Sequence, residues 1–272
     1  RDDLTSSGHD MLDLLHGAQD EARRRGYDLR LEVAPDAAAW HGFAGDADCV
    51  GAVLLNSEFA APARALGARR AVVWCGIGDR PAGIAMAVSD EHAAGVLAAE
   101  HVIALGHRRI AYLTGHGVAM EPFHLRQAGV DAALRTRRLP ASRTVPWHAG
   151  HETAAALELA RRMAAGAADA PTALIAGNDV MAVEFIEAAR AVGLQVPRHA
   201  AVIGWGGFAE ARARLPGLAT VAVGSSGIGR SAVAAVDLML RQPSLAPLTI
   251  TVPVRLQPGA TAAPPPAERG RD

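Results

Sequence analysis

Cysteine is scarce in this sequence, aromatic residues are few, and neither sign of charge prevails. Two cysteines, Cys49 and Cys75, in 272 residues cannot build a disulfide framework or a four-thiolate metal site, and they fit a reducing compartment. Lys and Arg number 27 against 28 Asp and Glu, a formal net charge of −1, so no basic field exists to concentrate nucleic acid. Any contact with DNA must come from another segment. No apolar run reaches the roughly 18 to 20 residues of a membrane span, and the opening RDDLTSSGHD lacks the apolar core of a secretion signal. A cytoplasmic protein without a membrane partner is expected. What the sequence does hold is apolar bulk, 50% of its residues, enough to bury one large α/β core or two smaller ones.

That bulk is ordered along the chain. Met11, Leu14, Leu15, Ala18 and Ala22 recur at helical spacing, as do Ala94, Leu97, Ala98, Val102 and Leu105, then Ala156, Leu159, Ala160 and Met163, then Ala182, Phe185, Ile186 and Ala189. Between such stripes lie VGAVLL, RAVVWC, RIAYLT, TALIA and AAVIGW, short runs rich in branched residues that suit strands covered on both faces. YDLRLEVA (27–34) alternates as a further strand. Alternating strand and helix imply right-handed βαβ units, parallel sheets and ligands held beyond the carboxyl ends of the strands. The units fall into two runs divided near Gly115, so two lobes are expected. The Pro- and Ala-rich end ATAAPPPAERGRD reads as a mobile tail.

Familiar chemistry is sparse. Gly76 and Gly78 form a GxG after a strand, but Asp79, Arg80 and Pro81 follow where a dinucleotide fingerprint needs a helix start. GSSGIG (224–229) has no phosphate-loop lysine and reads as a helix entry. His148, His151 and Glu152 are metal-ligand types, yet helix entry between them separates their directions. No serine or cysteine shows partners for nucleophilic catalysis. The reading is of a protein that is no enzyme and needs neither cofactor nor metal.

DEHAAGVLAAEHVIALGHRRIAYLTG (90–115) resembles the ligand-binding core of the LacI/GalR family of bacterial transcription regulators. RQAGVDAAL (126–134) is similar to that family's R..GF..AL segment, the run 173–205 to its ND…G..vP stretch, and LPGLATV (215–221) to its P.LTTV. The resemblance implies an α/β fold of two similar doubly wound parallel-sheet lobes, like the sugar-binding proteins of the periplasm, joined by three crossovers near 114–116, 221–224 and 252–255. One lobe would hold 1–115 with 224–252 and the other 116–223 with 253–263, leaving 264–272 as the mobile tail.

Function follows by the same implication. A small effector, a sugar or a relative of one, binds between the lobes and alters operator DNA binding by a helix-turn-helix headpiece absent from this chain, in a homodimer. A solute-binding protein of a transporter shares the fold and is the alternative. The matched motifs place Arg126 and Asn178 on the effector. Arg126 brings a planar fork of donors, and Asn178 both donates and accepts; the alternatives are a surface arginine and a helix N-cap. Asp90 is expected at a helix start beside a crossover and within reach of the ligand. Where the family reads GFDD or GYDD, this chain reads GWGG (204–207), so Gly206 removes an acid that takes sugar hydroxyls and makes room for a bulkier or anionic effector. Trp205 and Trp147, each at a strand end, are stacking platforms or packed residues. The family's opening strand has no counterpart before LTSSGHDML, and the expectation is that it precedes this chain; Ser7 then falls in a loop facing the ligand.

Overall fold

The computed structural model describes residues 8–31, 46–56, 70–77, 82–115, 121–147 and 153–266. They form two α/β units. One comprises Glu91–Val223 and Val254–Asp272, the other Asp10–Asp90 and Gly224–Pro253. The first passage between them falls at Asp90/Glu91, earlier than the expected 114–116, and the others at Val223/Gly224 and Pro253/Val254. The correction has a direct cause: the helix and strand within 91–115 pack on the sheet that follows them in sequence. Read alone, the uninterrupted motif of 90–115 hides the change of unit at its second residue.

In the smaller unit, β1 (Gly51–Asn56), β2 (Ala71–Ile77), β3 (Ala85–Ser89) and β9 (Thr249–Val252) make a parallel sheet in the order β1-β2-β3-β9. Val73, Cys75, Ala85 and Ala87 share one core cluster with Leu14 of α1 (Gly8–Arg25) and with Ile228, Ala232 and Val236 of α7 (Ser225–Arg241). Leu54, Val72, Trp74 and Val88 cluster separately. Tyr27–Leu31 joins no strand, contrary to the alternation of YDLRLEVA; the Tyr27 hydroxyl instead donates to the buried Asp237 of α7 at 2.8 Å. Arg25 and Arg241 also pair with Asp237.

The larger unit carries a six-stranded sheet, β10-β8-β7-β6-β4-β5, built from β4 (Ile110–Thr114), β5 (Arg143–Pro146), β6 (Ala173–Ala176), β7 (Ala201–Gly206), β8 (Ala219–Ala222) and β10 (Arg255–Gln257). Only β10 is antiparallel, at the edge, a common exception in such sheets. Strand periodicity sorts the core in two: Leu113, Leu174 and Val202 go to one face, with α4 (Ala154–Ala164) and α5 (Asp179–Ala191), while Tyr112, Ile175 and Ile203 go to the other, with α2 (Glu91–Ala104) and α3 (Glu121–Thr136).

Helices α2 and α3 meet at two glycines. A Cβ on Gly95 would lie 1.9 Å from the Arg126 carbonyl oxygen, and one on Gly129 would lie 2.1 Å from that of His92. The small unit repeats the device, with Gly17 against Ser226 and Gly229 against Leu14. A mid-helix glycine costs about 1 kcal/mol relative to alanine; here that cost permits backbone-to-backbone contact.

The end of α2 explains LGHRR. Gly106 adopts φ +103 and the His107 N–H reaches back to the Val102 carbonyl, closing the helix. His107 is buried, with Nε2 2.8 Å from the Ala263 carbonyl and Nδ1 2.9 Å from the Thr172 hydroxyl. The carbonyl only accepts, so Nε2 donates to it and the neutral ring accepts from Thr172. Thr261 is buried too, its hydroxyl donating to the Val202 carbonyl and accepting from the Ala219 N–H. Ala260–Ala263 is therefore held by the fold and is not part of a mobile tail, while Pro264 and Pro266 are exposed; 267–272 lie outside the described residues.

Two outcomes are expected. Gly129→Ala should lower unfolding free energy by about 1–3 kcal/mol in urea titrations, despite its better helix propensity, because the crowded atom is backbone. Burial pushes the His107 imidazole below its ordinary value of 6.5, so its contribution to stability is whole above that pH and is lost as pH falls from there toward the folded value. His107→Gln should flatten the decline in stability between about pH 7 and 5 relative to the parent.

Candidate functional site

A parallel sheet gathers its chemistry at the carboxyl ends of its strands, since each strand there hands the chain to a helix N-terminus. At this edge of the six-stranded sheet, Thr114 leads toward α3, Gly177 and Asn178 open α5, and β7 ends on Trp205 and Gly206. Three of the sequence-derived site residues, Arg126, Asn178 and Trp205, together with Gly206, belong to this unit and this edge. Asp90 belongs to the smaller unit, where its N–H donates to the Val252 carbonyl at 3.2 Å. Ser7, and His148, His151 and Glu152 with it, lie outside the described residues. Among the described residues no three His, Cys, Asp or Glu side chains come together as a metal site.

Arg126 is not a surface arginine. Only 4% exposed, it lies in α3 with Nη1 2.6 Å from Glu91 Oε2, the first residue of α2. One aromatic ring stacks near the guanidinium on Trp205, 3.9 Å from its carbon, and another on Phe123, at 4.5 Å. Phe123 is seated over two glycines: a Cβ on Gly177 would come within 2.4 Å of its ring and one on Gly115 within 3.3 Å. Tyr112, whose hydroxyl donates to the Phe123 carbonyl at 3.1 Å, lies against the same guanidinium, and burial pushes its phenol upward. Two donors in this cluster, Arg126 Nε and Trp205 Nε1, are buried without an acceptor. Beside them is a small cavity of about 10 Å³, lined by Gly95, Tyr112, Arg126, Ala176, Gly204 and Trp205 among others, room for one oxygen atom the size of a water.

Asn178 caps α5, its side-chain oxygen accepting from the Met181 N–H at 2.8 Å. The cap uses the oxygen and leaves the amide NH₂ for other work. Trp147 is packed instead of presented: 2% exposed, edge-on to Phe185, with Nε1 donating to Glu184 at 3.1 Å. As a stacking platform it is corrected, because it is buried in the core that contains Leu113, Val145 and Phe185.

The GWGG turn has an owner that the sequence did not reveal. Asp179, fully buried, accepts through Oδ2 from the N–H groups of Gly207 (2.7 Å) and Phe208 (2.8 Å), and through Oδ1 from the Thr220 hydroxyl (2.6 Å). Burial pushes its carboxyl above the ordinary value of 3.8, and these three donors pull against that shift. Gly204 makes the approach possible, as a Cβ there would sit 2.1 Å from Asp179 Oδ1. Gly206 adopts φ +125 and its missing Cβ is replaced by the Phe208 ring, 2.5 Å away. The space vacated by a side chain at 206 is thus filled from within, and the expectation of extra room there does not hold. Phe208 in turn stands edge-on to Trp205, centroids 6.1 Å apart. Glu91, Phe123 and Asp179 were missed from the sequence; for Glu91 the signal that could have pointed to its helix pair was the cost of Gly95 and Gly129 inside otherwise good helices.

Asp179→Ala should destabilise the chain by about 3 kcal/mol in denaturant titrations, since it strands three buried donors. Asp179→Asn, which can accept both N–H bonds and donate to Thr220, should cost less than half as much.

Residues 99–262 match the model of the periplasmic binding protein-like domain. The HTH-type transcriptional regulator DegA of Bacillus subtilis is 34% identical over 137 residues, 50% of this chain and 39% of that protein. The ribose operon repressor of Escherichia coli is 32% identical over 156 residues, 56% of this chain and 45% of that one. This chain thus spans less than half the length of the curated relatives it matches. Among solved structures, a LacI transcriptional regulator from a Rhodococcus species superimposes with a TM-score of 0.74 at 26% identity, over 93% of both chains. The chain belongs to the periplasmic binding protein-like domain family.

Proposed function

We propose that this chain is the effector-sensing and dimerisation part of a LacI-type transcriptional regulator, with a sugar or sugar derivative as effector. The observation that carries the reading is the strand-end cluster in which Arg126 stacks on Trp205, with two buried N–H donors that find no protein acceptor; Asn178 opens a helix at the same edge of the sheet. A ligand hydroxyl supplies what those donors need. The regulator names of the relatives favour this over the transport reading. Operator DNA is bound by a headpiece outside this chain, in keeping with a net charge of −1 that offers phosphates nothing. A homodimer in the cytoplasm completes the proposal, and among the described residues no helix is long and apolar enough to cross a membrane. The effector acts by differential affinity for two conformations of the protein, which sets the limit on how far it can shift operator binding.

A thermal-shift screen against neutral sugars, sugar acids, sugar phosphates and nucleosides tests the reading. A true effector at 100 times its dissociation constant should add about 2.7 kcal/mol of stability; a screen in which no class stabilises the protein overturns the proposal. Asn178→Asp then separates two roles, since aspartate caps a helix as well as asparagine does but lacks the NH₂. It should leave the melting temperature of the free protein nearly unchanged and weaken the effector about tenfold, or about 1.4 kcal/mol. Unchanged affinity removes Asn178 from the site.

A further inference from the structure

Gly206 removes a negative charge, which favours a bulkier or anionic effector, while Arg126 brings a positive one. The structure gives that charge a counter-ion elsewhere. Glu91 opens α2 and is buried against Arg126 at 2.6 Å, and the glycine crossing at Gly95 and Gly129 fixes the two helix backbones that carry them. Both partners are withdrawn from water, so neither is screened by solvent, and the pair behaves as a neutral, strongly dipolar unit.

The rest of the edge points the same way. A helix N-terminus attracts anions through its unpaired N–H groups and dipole. Yet α2, α3 and α5 each carry an acid in the first turn, Glu91, Glu121 and Asp179. In α5 the Met181 N–H is already capped by Asn178. The N–H groups of Gly207 and Phe208, a pair of donors suited to a phosphate, are both taken by Asp179. What remains unsatisfied is a pair of single buried donors, Arg126 Nε and Trp205 Nε1, from which no protein atom accepts. Each suits one hydroxyl oxygen. A carboxylate or phosphate would have to enter next to the Glu91 carboxylate.

We propose that Glu91 is the charge-selecting residue of the effector site: by neutralising Arg126 it restricts the site to uncharged polyhydroxy ligands and turns away sugar acids and sugar phosphates. The proposal rests on the effector-sensing reading above and adds the ligand's charge to it.

The test compares matched ligands on the full chain. Dissociation constants for D-ribose, D-glucose, ribonate, gluconate, ribose 5-phosphate and inorganic phosphate are measured by calorimetry and thermal shift with the parent, Glu91→Gln and the double variant Glu91→Gln/Arg126→Gln. The parent is expected to bind a neutral sugar at least tenfold more tightly than the corresponding acid or phosphate. Glu91→Gln should move that ratio toward the anion by tenfold or more, and the double variant should return it, because the exposed charge belongs to Arg126. An unchanged ratio in a folded Glu91→Gln overturns the proposal and leaves effector sensing intact. If Glu91→Gln does not fold, the parent's ranking decides: a sugar acid or phosphate bound as tightly as its neutral counterpart overturns it. Binding of none of these ligands by the parent overturns the charge proposal together with the sugar-effector reading on which it rests.

Discussion

Helices α2 and α3 approach until backbone meets backbone, and the geometry of the site follows from that contact. With any side chain at Gly95 or Gly129 the helices would separate, and the carboxylate of Glu91 would leave the guanidinium of Arg126. A buried arginine without its partner is among the costlier defects a core can carry, about 3–5 kcal/mol. Two glycines therefore guard an ion pair to which neither belongs. The aromatic rings of Phe123 and Trp205 then occupy the guanidinium's surroundings, leaving Arg126 little rotamer freedom to lose when a ligand arrives.

The neighbouring GWGG turn obeys the same logic with different parts. A single carboxylate, Asp179, collects two backbone donors and one hydroxyl, which fixes the level at which β7 ends and so the position of Trp205. Because Asp179 also begins α5, the helix that carries the Asn178 cap and the turn that carries Trp205 are pinned to each other. Preorganisation of this kind is the expected foundation of a selective small-ligand site. Gly206, which looks in sequence like a deletion of function, is in the structure the residue that lets Phe208 close over the turn.

How much of this the sequence disclosed depended on what kind of information each feature needs. Apolar periodicity found the helices around Ala98, Leu159 and Phe185 and the strands at Ile110, Leu174 and Ile203, since burial on one face or both is written into local spacing. It failed for Tyr27–Leu31, whose alternation finds no partner strand among the described residues, and for short strands such as Arg143–Pro146, three of whose four residues are exposed. Motif resemblance found Arg126 and Asn178 but put the first passage between units inside the wrong loop, as no local feature marks Glu91 as the start of a new unit. Trp147 and Trp205 were indistinguishable beforehand: each ends a strand, and only three-dimensional neighbours separate a core indole from one stacked on an arginine. The Glu91–Arg126 pair spans 35 positions and leaves no periodic trace at all.

The interleaving of the two units bears on how the protein is made. The four-stranded sheet pairs β3 with β9 from Met86↔Thr249 to Ser89↔Val252, so the ribosome delivers the first three strands and then the whole segment 91–223 before the fourth emerges. At about 5–20 residues per second the β3 edge waits on the order of ten seconds for its partner. A nascent chain in that interval presents an unpaired parallel edge, the kind of surface that invites pairing with other chains. The burden of chaperoning should thus fall on the unit that is translated first and finished last.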